Sequence, residues 1–144
     1  MSTSNLTLFV SYSHEDEAVI KPLVDLLRTK EGLVFFDRDS ILAGDEWNPK
    51  ILSAIDSCDK FIVFWSIKSA ESFYVEKEFT RAINDKKTII PILLDGTELP
   101  QSLARFQWID LEILTKNSSR KIKIIWQAIK TFVIKNRVPI SRLG

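Results

Sequence analysis

A chain of 144 residues with 45% hydrophobic content is long enough to bury one core without disulfide or metal staples, so a single domain over residues 1–144 is expected. Its 20 Lys and Arg nearly balance 19 Asp and Glu, giving a net charge of +1, which argues against the strongly basic face that nucleic-acid binding requires. The single Cys and single His leave no internal disulfide and no set of imidazoles for a metal; no apolar run approaches a membrane span, and the polar residues 1–5 lack a signal-peptide core, so a cytoplasmic protein without a membrane partner is expected.

In chain order, residues 6–12 carry the β-branched and aromatic content of a first strand and run into a polar segment over 11–16. Ser13 is placed to cap the helix that follows, and Glu15, Asp16 and Glu17 suit the positive end of its dipole. Val19, Leu23, Leu26 and Leu27 are the expected buried stripe of that helix, Pro22 is expected to bend it, and Gly32 to stop it. Residues 33–36, Leu-Val-Phe-Phe, read as a second strand buried on both faces. The charged loop after it is longer than a strand-to-helix turn needs and is a preferred place for function. Trp47, Ile51, Ala54 and Ile55 mark the next helix, and Cys58 reads as a small buried apolar residue.

Residues 61–65, Phe-Ile-Val-Phe-Trp, have the composition of a central strand buried on both faces. Ser72 then caps a helix whose apolar positions are Val75, Phe79, Ala82 and Ile83. Tyr74 and Glu78, four apart, share a flank of it and lean back toward the preceding turn, which aims a carboxylate at the carboxyl end of the buried strand. The plainer alternative for Glu78 is a solvated ion pair with Lys77 or Arg81. Residues 87–94 form a fourth strand, where Pro91 implies a place near the sheet edge or a break in the ladder. Asp95-Gly96 turns the chain, residues 106–109 make a short fifth strand, and Ile122, Ile125, Trp126, Ile129 and Val133 mark a closing helix with a basic, solvated face.

Strands alternating with helices imply a parallel sheet covered on both sides. With right-handed crossovers, the expected fold is α/β, a flavodoxin-like three-layer sandwich with a five-stranded parallel sheet in the order 2-1-3-4-5 and helices on both faces. The loops at 11–15, 37–45 and 66–72 would then open at one end. No glycine-rich dinucleotide fingerprint or phosphate loop is present, and no G-x-S-x-G elbow supports a hydrolase with His14 as base. A phosphate receiver would need acids where the first strand ends in Ser11 and Tyr12.

Three segments carry a resemblance. Leu8-Phe-Val-Ser-Tyr-Ser-His-Glu-Asp16, then Val34-Phe-Phe-Asp-Arg-Asp with Ala43-Gly-Asp45, then Ser72-Phe-Tyr-Val-Glu-Lys-Glu78 resemble, in order and spacing, the boxes of the Toll/interleukin-1 receptor (TIR) domain in its bacterial form. The resemblance spans about residues 6–134, leaving short polar and basic tails. It implies NAD⁺ glycohydrolase activity that cuts the nicotinamide–ribose bond and releases ADP-ribose or a cyclic isomer, as an immune signal or to exhaust NAD⁺. It implies Glu78 as the catalytic glutamate and Tyr74 at an aromatic position that is often tryptophan. Ser11, Tyr12, Asp37 and Ser40 match the NAD⁺ pocket and the mobile BB loop, with Phe9 behind them. NAD⁺ is then a substrate, and no cofactor or metal is expected. The implied partners are other TIR domains, docking through the BB loop at 37–47, and an effector that reads the product. The alternative function is a non-catalytic TIR–TIR scaffold in which that loop is an interface.

Overall fold

The most apolar stretch of the chain occupies the middle of the sheet. In the computed structural model, which describes residues 6–28, 33–36 and 49–111, strand β3 (Lys60–Trp65) is buried along its whole length. It pairs in parallel with β1 (Leu6–Ser11) on one side and β4 (Thr88–Leu93) on the other. Strand β2 (Leu33–Phe36) pairs with β1, and β5 (Ile109–Asp110) pairs with β4, so the sheet has five parallel strands in the order β2-β1-β3-β4-β5. Residues 37–48, where a functional loop and Trp47 are expected, Gly32, and the helix expected around residues 122–133 lie outside the described residues.

Helices cover both faces. Helix α1 (Glu17–Arg28) follows a 3₁₀ turn at His14–Asp16, capped by Ser13 as its serine hydroxyl accepts from Glu15 N, and supplies Ile20, Leu23 and Val24 to one core with Leu8, Val10, Ile62 and Phe64. Helices α2 (Pro49–Ser57) and α4 (Phe73–Asn84) supply Ile51, Ile55, Val75, Phe79 and Ala82 to the other core, with Phe9, Phe61, Val63 and Trp65. Of the expected α1 stripe, Leu23 is buried and Val19 is not, while the side chains of Leu26 and Leu27 lie outside the described residues. Val19 is 50% exposed, and Ile20, which precedes Leu23 by three residues instead of four, takes its place in the buried stripe with Leu23 and Val24. Between β3 and α4 lies the single turn α3 (Ile67–Ala70), and α5 (Gln101–Ala104) precedes β5.

Pro91 sits opposite Val63 in the β3–β4 ladder, but β5 joins β4 only at Ile92 and Leu93, so the residue without an N–H lies beside the gap where β5 has not begun. The fifth strand is shorter and later than its sequence suggested, and Trp108 is left exposed ahead of it. Cys58 is buried, and loss of hydration pushes its thiol up to about 11, so it is held as the unreactive thiol.

Helices α2 and α4 are tied at the surface. Arg81 Nε and Nη2 donate to the two oxygens of Asp56 at 2.9 and 2.7 Å, and Nε lies 3.6 Å from Asp85. The Arg81 hydrogen bonds hold Asp56 down at about 2 from 3.8, whereas the Asp56 carboxylate beside Asp85 pushes that group up. An acid whose folded pKa is depressed stabilises the fold above its unfolded pKa and loses that contribution as pH falls through the folded value; the raised Asp85 works in the opposite sense. Comparing urea midpoints with those of Arg81→Met should therefore show a wild-type advantage that is full above about pH 4 and narrows toward about pH 2.

Candidate active site

The alternation of β1 decides which of its residues face α4. Phe9 points into the core under α2 and α4, while Leu8, Val10 and Tyr12 join the core under α1. Ser11 shares the parity of Phe9 and lies at the carboxyl end of the strand. Its Oγ donates to Glu78 Oε1 on α4 at 2.7 Å, and both residues are fully buried. Glu78 is thus held indoors, against the usual rule that an unaided glutamate stays in water. Lys77 and Arg81, the neighbours that a solvated Glu78 would use, face elsewhere: Lys77 Nζ lies 4.9 Å from the Phe73 ring centre and Arg81 binds Asp56.

The place is set by topology. From β1 the chain moves to β2 on one side and then to β3 on the other, so β1 and β3 flank the switch point where crossovers diverge. Their following loops are tied together there. Ser66 Oγ donates to Asp16 Oδ2 at 2.5 Å while accepting from the backbone of Lys68 and Ser69, and Lys68 pairs with Glu15 at 3.4 Å. Ser72 caps α4 by accepting from Val75 N at 3.2 Å, which fixes the angle at which that helix presents Glu78 to the sheet.

The candidate residues named from sequence therefore divide. Ser11 and Glu78 are brought into direct contact. Phe9 lies deeper on the same face, fully buried and stacked on Phe61 with ring centres 5.4 Å apart. Tyr12 is directed to the opposite core by strand alternation, so its ring is not on the Glu78 side of the sheet. Tyr74 shares the flank of Glu78 but not its surroundings: it is 47% exposed and meets Phe73 edge-on at 5.8 Å. Asp37 and Ser40 lie outside the described residues. The Asp16–Ser66 tie was not anticipated; a serine at a helix N-cap has a second hydrogen-bonding capacity, which was the available signal.

A buried hydroxyl donating to a carboxylate has a measurable value. Ser11→Ala is expected to destabilise the fold by about 1–3 kcal/mol, seen as a lowered urea midpoint, because it removes a donor from a carboxylate that cannot turn to water.

A family profile described as the TIR domain matches residues 8–125. The chain belongs to the TIR domain family. No curated protein gives a significant sequence match. Among solved structures, the TIR domain of the Toll-related receptor TRR-2 from Hydra magnipapillata superposes with a TM-score of 0.67 at 18% identity, covering 88% of this chain and 96% of that one. The CMP N-glycosidase BcmB from Clostridium botulinum gives 0.61 at 18% identity, covering 87% and 98%. A metazoan TIR-STING receptor from C. gigas gives 0.57 at 22% identity, over 82% of this TIR domain and 39% of the receptor chain. At these identities the likeness is one of fold. Among the described residues of this TIR domain, no helix is long and apolar enough to cross a membrane.

Proposed function

We propose that this TIR domain is an NAD⁺ glycohydrolase of the bacterial type, with Glu78 as its catalytic carboxylate. The observation that carries the reading is the fully buried Glu78, held by Ser11 at the switch point between β1 and β3.

The chemistry suits one carboxylate. The bond between nicotinamide nitrogen and ribose C1′ breaks with its electron pair passing to the pyridinium ring, which leaves neutral and needs no proton. The carboxylate stabilises the positive charge that grows on the ribose, and it does so more strongly out of water than in it. Water then adds at C1′ and releases a proton to give ADP-ribose; attack by a nucleophile of the same molecule gives a cyclic isomer instead. The C. botulinum structure of related fold is named for cleavage of another N-glycoside, that of CMP. Cytosine is a poor leaving group unless protonated, so that substrate calls for an acid. The cationic nicotinamide needs no such acid, which suits a site built on the single buried carboxylate of Glu78.

Because Glu78 is completely covered, substrate can reach it only when the groups over it separate. TIR domains generally self-associate, and the reading here is that association of copies through the 37–47 loop opens and completes the pocket formed with Ser11, Ser40, Asp37 and Tyr74. The product is then read by a downstream effector in the cytoplasm, in defence against phage. The test is to incubate concentrated protein with NAD⁺ and, separately, with CMP, and to resolve the products by chromatography. Nicotinamide with an equal amount of ADP-ribose or its cyclic isomer is expected; a folded, assembled protein that releases cytosine but no nicotinamide would overturn the choice of substrate.

A further inference from the structure

We infer that Asp16 is a positioning residue for Glu78, acting through Ser66 and the single turn α3; this rests on the reading of Glu78 as the catalytic carboxylate. The observation behind it is where the protein buries its polar groups. Apart from aromatic residues and Cys58, the buried polar or charged side chains among the described residues are Ser11, Ser13, Lys60, Ser66, Ser69 and Glu78. Burying such a group costs free energy unless a partner satisfies it. Lys60 opens β3. The other five gather around the carboxyl ends of β1 and β3, on a closed circuit of hydrogen bonds that passes through Asp16.

From Ser11 the chain passes to Ser13, whose carbonyl accepts from Asp16 N at 2.8 Å. Asp16 Oδ2 accepts from Ser66 Oγ, and Ser66 Oγ accepts in turn from Lys68 N at 3.1 Å and Ser69 N at 3.2 Å, so one hydroxyl both caps α3 and ties it to the loop after β1. Ser69 Oγ donates to the Phe64 carbonyl on β3 at 2.7 Å, and the Ser69 carbonyl accepts from Ser72 N at 3.0 Å. Ser72 caps α4, and Glu78 on that helix accepts from Ser11 Oγ, which closes the circuit.

The Ser11–Glu78 bond and the Asp16–Ser66 bond both cross from the β1 side of the circuit to the side of β3 and α4. The Glu15–Lys68 pair crosses beside them, but its side chains are 68% and 46% exposed, and a pair so wetted holds little. A hydroxyl bonded to a carboxylate in a part-buried place is the stronger link. When the cover over Glu78 separates to admit substrate, the Ser11 contact is the one disturbed, and the Asp16–Ser66 bond remains to keep the start of α4 at a set distance from the end of β1. Glu78 then meets the ribose at a fixed place. Such placing matters, since an error of about 1 Å in a reacting group can cost on the order of 10²-fold in rate.

The experiment follows the Glu78 carboxyl carbon resonance, assigned with Glu78→Gln, together with steady-state nicotinamide release from NAD⁺ by the concentrated protein. Asp16→Ala is expected to displace that resonance while the other glutamate carboxyls stay in place, and to lower kcat at least ~10-fold with KM changed less than about threefold. Asp16→Asn keeps an oxygen that accepts from Ser66 Oγ, so it should return the resonance to its wild-type place and kcat to within about threefold of wild type. Because Asp16 acts through Glu78, adding Asp16→Ala to Glu78→Gln should cost less than about twofold more, whereas a purely structural role would lower both backgrounds equally. Should Asp16→Ala fail to fold, Ser66→Ala breaks the same bond from its other end and takes its place. A Glu78 resonance unmoved in the folded variant overturns the inference, as does an unchanged kcat where wild type is active or an equal loss in both backgrounds. If wild type releases no nicotinamide while the resonance moves in Asp16→Ala and returns in Asp16→Asn, the positioning role stands and the NAD⁺ reading falls.

Discussion

Glu78→Gln is expected to lower nicotinamide release from NAD⁺ by at least about 10³-fold, equivalent to about 4 kcal/mol of lost transition-state stabilisation. Glutamine keeps the volume of the side chain and an oxygen able to accept from Ser11 Oγ, so the packing under α4 is preserved. On the proposed mechanism, what it removes is the negative charge that would face the ribose as C1′ becomes cationic, an interaction made mainly in the transition state. The loss should therefore fall on kcat, with KM changed little and the thermal midpoint within a few degrees of wild type. Substitution by Gln is a sharper test than Glu78→Ala, which would also open a cavity beside Ser11. Full activity in folded Glu78→Gln would remove this carboxylate from the mechanism and leave the scaffold reading.

Phe61→Ala is expected to cost about 3–5 kcal/mol, the usual price of emptying a buried aromatic site, and to lower the urea midpoint accordingly. For a domain whose total stability is about 5–15 kcal/mol, that places the variant near unfolding. Phe61 is fully buried on the central strand, paired in register with Phe9 and stacked on it at an interplanar angle of 5°. The pair lies one residue step of the same parity below Ser11, so it supports the strand end that meets Glu78. Phe61→Leu, which leaves most of the volume filled, should lose less, and the two substitutions should rank in the same order for activity as for stability. Equal midpoints for Phe61→Ala and wild type would show that this stack is not part of the core that carries the site.

Much of this arrangement could be read from side-chain periodicity. The run at 61–65 is short, aromatic and β-branched and apolar at consecutive positions, as suits a strand covered on both faces, and Ser72 followed by Val75, Phe79 and Ala82 marks a capped helix with one buried face. The acid at Glu78 was legible as a residue aimed at a strand end, but its partner was not. Which side chain of β1 meets α4 depends on strand parity, and parity separates Ser11 from Tyr12 although the two are adjacent and both polar. The Val19 error has a similar origin, since both Val19 and Ile20 stand at helical spacing from Leu23 and periodicity does not choose between them. The tie from Trp65 Nε1 to the Glu98 carbonyl was illegible for a different reason: it joins segments about thirty residues apart through an indole N–H and a backbone carbonyl, and no local pattern encodes a contact of that kind.

Among the described residues, the two outer strands span four and two residues. Such stubs offer few open backbone donors and acceptors to an incoming strand, so copies of this protein gain little by continuing one another's ladder. A filament or ring held by side chains on helix surfaces would vary in strength with salt and with single surface substitutions, as a contact made of backbone pairing would not.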